Sequence, residues 1–544
     1  MLAVICAVFV FNYKAVFDRK LDPNGDNIVY FLLAKALSEG KGYVDIVPPT
    51  PTPHTHFPPG YPMFMSVFMR FFPDNIIAMK ILNGILFLLS VFLLFRIVRK
   101  TTRDNIWLAF IACLVTVSHP SLLRWSVIMM SEPLYILISF GIILISLDLD
   151  VERIFKKGPK DLRQVARLVL LCLLVISAYL VRTMGVSVVL AAALAFGVTT
   201  LKALVRKGGS WWKPGAVAVA ICLSLFVAHE GWSSRNHAVR EGFKSDYNAG
   251  FMYTFSHERM TPELWKNRII SNFREFSAIW IPRSMIRPKD AMDFNRHTKP
   301  TAADWFSGAA LIILMCFGIW RLRKGRVLLS LYIVITFSVL LLYQEQYAGE
   351  RYFIPVLPLM IFAAINGIWE LFDLLANKIL KNHPAVVPVL AVAAAAALLF
   401  IPYKDVRDLY KSATKYRTYV EMDPDSDYAH YIQAAEWLKE KAGDRAVIAC
   451  RKPEAMFVYS GYKHAVRIPL SGSEEEVIEY LRNSGANCVV LDTWARHAYE
   501  VVFPAMRKNE SAFPVYFTTK EDKTYGRPTI VTAFLPSKLK AYEK

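Results

Sequence analysis

The stretch Asp18–Pro62, between the first apolar run and the second, gathers the residue types that could do chemistry. Asp22 and Asp26 flank a Pro-Asn-Gly turn directly after the first apolar run. A carboxylate there could take the proton of an attacking hydroxyl as a general base. A proline-stiffened segment follows, with His54, His56 and Tyr61 inside His54-Thr55-His56-Phe57-Pro58-Pro59-Gly60-Tyr61-Pro62, and it reads as a substrate-contacting loop. Further along, Arg182 stands alone among apolar neighbours, and Arg351-Tyr352 opens another apolar run. A guanidinium binds phosphate oxygens in a planar fork, so Arg182, Arg351 and Tyr352 are candidate phosphate ligands. The competing reading is anchoring of Arg and Tyr at lipid headgroups. Glu132, in Ser131-Glu132-Pro133, is either a helix-start acid or a second catalytic carboxylate in the same cavity as Asp26. An acid so near hydrocarbon is costly without a partner.

The elements that must position these groups are mostly apolar runs. Of 544 residues, 54% are hydrophobic, and long uncharged stretches alternate with short basic spacers. That pattern marks a polytopic α-helical membrane protein and excludes a soluble enzyme. Eleven spans are expected, near 1–17, 76–98, 105–120, 127–147, 165–181, 184–201, 214–231, 303–320, 327–343, 352–376 and 384–402. The first run lacks a basic leader and a small-residue cleavage site, so it reads as a retained span. The net charge of +19 is accounted for by the spacers, and no nucleic-acid partner is expected. Five basic clusters, around Arg99, Arg163, Arg206, Arg323 and Lys378, fall on one side when spans are counted. The positive-inside rule makes that side cytoplasmic. The amino terminus is then inside, and loops 18–75 and 232–302 and everything after 403 lie outside.

Asn27–Leu37 is amphipathic, with Ile28, Phe31, Leu32 and Ala36 at helical spacing. The loop 232–302 is rich in Arg, Lys and His, its Pro262–Trp280 part reads as a helix, and its charge suits a phosphate or anionic headgroup. After residue 402 the character changes. Helix-like 428–441 and 474–484 alternate with strand-like 446–449, 488–491 and 529–532, which implies a small extracytoplasmic α/β domain over 403–544, separate from a membrane domain over 1–402. Cys450 and Cys488 bound two of these strands and read as buried thiols, with a disulfide as the alternative.

Gly25-Asp26-Asn27, the His56–Pro62 motif, Ser131-Glu132-Pro133, Arg182-Thr183 and Glu350-Arg351-Tyr352 through Pro358 together resemble the GT-C superfamily of glycosyltransferases. The nearest branches are the protein O-mannosyltransferases and the lipid A aminoarabinose transferases. The resemblance covers roughly residues 1–402. It implies a polyprenyl-phosphate sugar donor, a lipid, glycan or protein acceptor, inverting transfer, and Asp26 as general base. This sequence has Asn27 where the commonest pattern of that loop has a second acid, so Asp22, Glu132 or a histidine would take its part. Some members bind a divalent metal near this loop. His54 and His56, two residues apart in a proline-rich loop, are a poor metal pair, and no metal site or other cofactor is assigned. A bacterial inner-membrane enzyme is the expected whole. A glycolipid flippase using the same cavity without chemistry is the alternative, though ionisable residues near the midplane and inverted repeats, which transporters favour, are not evident.

Overall fold

The computed structural model describes residues 1–22, 25–157, 160–206, 210–240, 250–254, 258–286, 299–345, 349–379, 419–493, 498–523 and 526–539. By their contacts they fall into two compact units. The first comprises Met1–Phe17, Thr55–Tyr61 and Lys80–Lys411; the second comprises Asp18–His54, Pro62–Met79 and Ser412–Lys544.

The first unit is helical because its apolar runs exceed the bilayer's ~20-residue requirement and close their backbone hydrogen bonds internally. Helices Ile76–Thr101, Leu162–Val181, Gly185–Val205, Trp212–Val239, Ala302–Trp320 and Leu357–Ile379 each hold a stretch long and apolar enough to cross a membrane. Leu2–Val16 and Arg326–Leu342 are shorter apolar helices. Local chemistry sets the starts: Asn105 caps the Leu108 N–H, Asp161 caps the Gln164 N–H, and Thr301 and Asp304 form a reciprocal capping box. Large apolar side chains point outward, Phe226 at 60% exposure and Ile313 at 69%, a surface that lipid covers and water would not. This is an integral membrane protein.

Several boundaries differ from expectation. The segment expected as a span to residue 120 followed by an external turn is instead a helix pair, Ile106–Ser118 and Pro120–Val127, bent by 58° at His119-Pro120. Proline cannot continue the hydrogen-bond ladder, so the chain breaks there and restarts with Pro120 as first helical residue. Arg124 and Trp125 are therefore helical, and the next helix begins at Glu132, running Glu132–Asp148. The run expected from 352 is also split, into Glu350–Phe353 and Leu357–Ile379, on either side of Pro355. Trp212–Val239 continues well past residue 231, taking part of the expected loop into helix. The span expected at 384–402 lies outside the described residues.

In the second unit, β1 (Val44–Asp45) and β2 (Thr52–Pro53) make a small hairpin. A five-stranded sheet is built from β3 (Val447–Cys450), β4 (His464–Arg467), β5 (Cys488–Leu491), β6 (Val515–Glu521) and β7 (Pro528–Ala533), ordered β4-β3-β5-β7-β6. β3 pairs parallel with β4 and β5; β7 pairs antiparallel with β5 and β6. Helices Asp427–Lys441 and Glu474–Asn483 match the expected ones, and β4 and β6 are strands the sequence reading missed. Val477, Leu481, Val489, Leu491 and Phe534 are buried in one core cluster. Cys450 and Cys488 are buried free thiols on neighbouring strands.

This unit also contains most of the first loop, which the sequence reading placed in the membrane domain. The bonds are specific. Tyr459 Oη donates to the Leu21 carbonyl at 2.6 Å, and the Ala465 N–H, on edge strand β4, donates to the Val47 carbonyl at 3.0 Å. Lys35 Nζ pairs with Asp74 at 2.7 Å and lies over the Tyr462 ring.

Candidate functional site

In the first unit, three of the candidate residues meet on one atom. Arg182 Nη1 lies 2.6 Å and Arg351 Nε 2.8 Å from Glu132 Oε1. Glu132 is fully buried, and its Oε2 has no hydrogen-bond partner among the described residues. Arg182 also donates to Ser131 Oγ at 3.2 Å, and Arg351 stacks over Trp125 at 5.6 Å from the ring centroid. A buried acid survives in such a place only with cationic partners, and here it has two.

Local structure explains how each arrives. Arg182 ends the helix Leu162–Val181 in extended conformation, and the chain reverses to start Gly185–Val205. Gly185 permits that reversal, since a Cβ would lie 2.4 Å from the Ala178 carbonyl oxygen. Gly60, in the proline-rich motif, passes against the Leu180 backbone, where a Cβ would come within 2.7 Å. The segment leading to Glu132 is held from below: Asn83 Nδ2 donates to the carbonyls of Ile128 (2.9 Å) and Met130 (3.0 Å), and Tyr61 Oη donates to Asn83 Oδ1 at 3.0 Å. Tyr61, expected as a substrate-loop residue, has no exposure and serves as a packing and hydrogen-bonding post. Tyr135 Oη donates to the Met184 carbonyl at 3.0 Å, tying the two helix starts together. Asn83 and Tyr135 look in the sequence like ordinary span residues and Trp125 like part of an external turn, and none of the three carried an expected role.

Beside this cluster sits a second acid. Glu350, adjacent in sequence to Arg351, is buried, and burial pushes its carboxyl up from the usual range, opposed by the Ser121 and Ser284 hydroxyls, Arg124 and the Trp125 indole. Tyr352 lies on the same short helix and is partly buried. The charge expected to make 232–302 an anion-binding loop is used differently at Arg268. That guanidinium is buried and donates to the carbonyls of Gly250, Phe251, Tyr253 and Leu342, while Asn272 caps Leu340, Leu341 and Tyr343. His257 and Arg287 lie outside the described residues.

In the second unit, Asp26 is the first residue of the helix Asp26–Ser38, where a first-turn acid complements the helix dipole. Asn27 is buried, and neither its amide oxygen nor its nitrogen has a hydrogen-bond partner among the described residues. Asp22 acts electrostatically on Tyr459, whose hydroxyl is pushed up first by burial and then by Asp22 and Asp18. His54 Nδ1 is 2.8 Å from Asp45 Oδ1 and its ring meets Tyr43 edge-on, which closes the β1–β2 hairpin. His56 belongs to the first unit and packs edge-on against Phe57. Among the described residues no three His, Cys, Asp or Glu side chains gather as a metal ion requires.

No protein-family model matches the chain, and no curated protein matches it by sequence. Solved structures do match. ArnT from Cupriavidus metallidurans, bound to undecaprenyl phosphate, aligns at 13% identity over 99% of this chain and 98% of that one, with a TM-score of 0.57. The Archaeoglobus fulgidus oligosaccharyltransferase AglB, in complex with an inhibitory peptide and a dolichol-phosphate, aligns at 13% identity over 97% of this chain and 74% of that one, TM-score 0.55. The same archaeal enzyme complexed with Zn and sulfate aligns at 13% identity over 99% and 73%, TM-score 0.55. The chain has the GT-C fold: a polytopic helical membrane protein with a C-terminal α/β region.

Proposed function

From that fold, we propose that this chain is a membrane glycosyltransferase that moves a sugar from a polyprenyl-phosphate donor to a lipid, glycan or protein acceptor. The observation carrying the proposal is the convergence of Arg182 and Arg351 on buried Glu132. A reaction whose leaving group is a lipid phosphate needs fixed cations where negative charge develops, and little else in electrostatic terms. Two guanidiniums locked on a common carboxylate meet that need without reorganising. Glu132 then acts as the anchor that aims them, and Tyr352 flanks the phosphate. The likeness in fold to structures holding undecaprenyl phosphate and dolichol-phosphate supports the same donor class here.

In the proposed reaction the acceptor oxygen bonds to the anomeric carbon as the bond from that carbon to the phosphate oxygen breaks. The acceptor's proton passes to Asp26, and the polyprenyl phosphate leaves with the electron pair. Asp26 enters through its place in the first loop and the resemblance of that loop to GT-C enzymes; Asp22 is its nearest acidic companion in sequence. One neighbour was solved with Zn, but the described residues here do not fit a metal ion, since His54 is held by Asp45, and no step is routed through one. The basic spacers support an orientation with the amino terminus in the cytoplasm and the α/β region outside, and a bacterial inner membrane is the proposed location.

The test is purified protein incubated with a panel of polyprenyl-phosphate sugars, scored by release of the lipid phosphate. Asp26→Asn is expected to cut turnover by about 10²–10⁴-fold while membrane insertion persists. Near-normal turnover in that variant refutes the base assignment, and no release from any panel member refutes the donor class.

A further inference from the structure

One strand of the second unit's sheet leads into a helix that packs against the helix carrying the proposed base. At the carboxyl end of β3 the chain leaves through Arg451 and Lys452 into the helix Pro453–Tyr459. Carboxyl ends of parallel strands, where successive connections depart in opposite directions, are the usual place for function in open α/β sheets. β3 is such a strand, with parallel neighbours β4 and β5 on its two sides. The backbone of Lys452 is clamped twice by fully buried Tyr431: Tyr431 Oη donates to the Lys452 carbonyl at 2.9 Å and accepts from its N–H at 3.3 Å. The helix that Lys452 opens packs against Asp26–Ser38, the helix that Asp26 opens, and Tyr459 pins the intervening loop at Leu21. Lys452 is half-buried.

Of the charged groups that act on it, Glu454 lies on its own helix, Arg451 precedes it, Arg467 ends β4, and Asp26, at the start of the packed helix Asp26–Ser38, acts electrostatically. Burial lowers the ammonium's proton affinity below the usual lysine range; Glu454 and Asp26 oppose that, and Arg451 and Arg467 reinforce it. Glu454 is shared, since it also pairs with Arg467 at 3.3 Å. Asp492, at the end of β5, acts on Tyr431 and Cys450 in the same neighbourhood.

We propose that Lys452 is a positioning residue for the reaction: its ammonium holds the Asp26 carboxylate in the orientation that meets the acceptor hydroxyl. This rests on Asp26 being the base. A carboxylate free to swing loses alignment, and misplacement by ~1 Å costs about 10²-fold in rate.

The test uses full-length protein and the panel sugar that turns over best. Lys452→Met is expected to lower kcat by about 10- to 100-fold with donor KM changed less than about twofold, because the lost interaction acts on alignment rather than donor binding. Lys452→Arg is expected to stay within about threefold at neutral pH, because a guanidinium keeps the charge. The alkaline limb of the parent's rate profile should fall below the ordinary lysine range, since loss of the Lys452 proton frees Asp26, and Lys452→Arg should move that limb upward. A Lys452→Met enzyme within twofold of the parent overturns the proposal, and so does an unmoved alkaline limb in Lys452→Arg. Where Lys452→Met proves unfolded in a melt, the Lys452→Arg profile decides. Asp26→Asn is run beside them. Activity retained there sinks the base reading, whereas activity lost there but kept in Lys452→Met sinks only this inference.

Discussion

Glu132 carries two guanidiniums on one oxygen with no exposure to solvent, and that arrangement is worth more as an anchor than as a store of stability. Buried ion pairs roughly offset their own desolvation, but removing one partner strands the others. Glu132→Gln should therefore leave two guanidiniums without their counter-charge. The expected result is a destabilisation of about 3–5 kcal/mol, read as a lower Tm in detergent, together with loss of lipid-phosphate binding. A variant with parental Tm and parental donor KM contradicts the anchor role. Each member of the trio was legible as an oddity: an acid at the mouth of an apolar run, and lone arginines at two others. Their meeting was not, because Ser131 and Arg182 are 51 residues apart and Glu132 and Arg351 are 219 apart. Nothing in one sequence records a contact at that range.

At the level of elements, the site depends on segments that contain no chemistry. Asn83, on the helix Ile76–Thr101, reads locally as a polar residue in a span. It is 1% exposed and satisfies two carbonyls just ahead of Glu132 while accepting from Tyr61. Replacing it by alanine takes a partner from the buried Met130 carbonyl and Tyr61 hydroxyl and from the part-buried Ile128 carbonyl, at about 1–3 kcal/mol for each buried group left unsatisfied. Asn83→Ala should lower both Tm and donor affinity, and Tyr61→Phe should cost about 1–3 kcal/mol because buried Asn83 Oδ1 loses that donor. If Asn83→Ala weakens stability but leaves donor KM untouched, the post does not control the site. The proline-rich motif illustrates how a local reading can go astray: its stiffness was visible, but Tyr61 is folded inward, and burial of that kind is decided by neighbours remote in sequence. Arg268 makes the same point, because its charge suggested an anion while its guanidinium holds backbone carbonyls at a chain crossing.

At the scale of the molecule, charge bias in the spacers is the basis of the proposed orientation. Single cysteines introduced into a cysteine-free background would report it: Lys520→Cys should react with a membrane-impermeant maleimide in intact spheroplasts, and Arg103→Cys only after permeabilisation. The reverse pattern would invert the proposed topology and put the α/β region in the cytoplasm. Hydropathy and basic spacers alone were enough to establish a many-helix membrane protein with an α/β tail, because backbone desolvation in lipid leaves long apolar runs no alternative to helix. Short strand-like runs likewise announced β3, β5 and β7. Tertiary structure decided the rest: that Arg182 and Arg351 share Glu132, that His119-Pro120 bends a span, and that the first loop packs with the C-terminal region, Leu21 on the helix Pro453–Tyr459 and Val47 on β4. These are long-range contacts, chosen by packing and burial between distant segments, and no local pattern of residues encodes them.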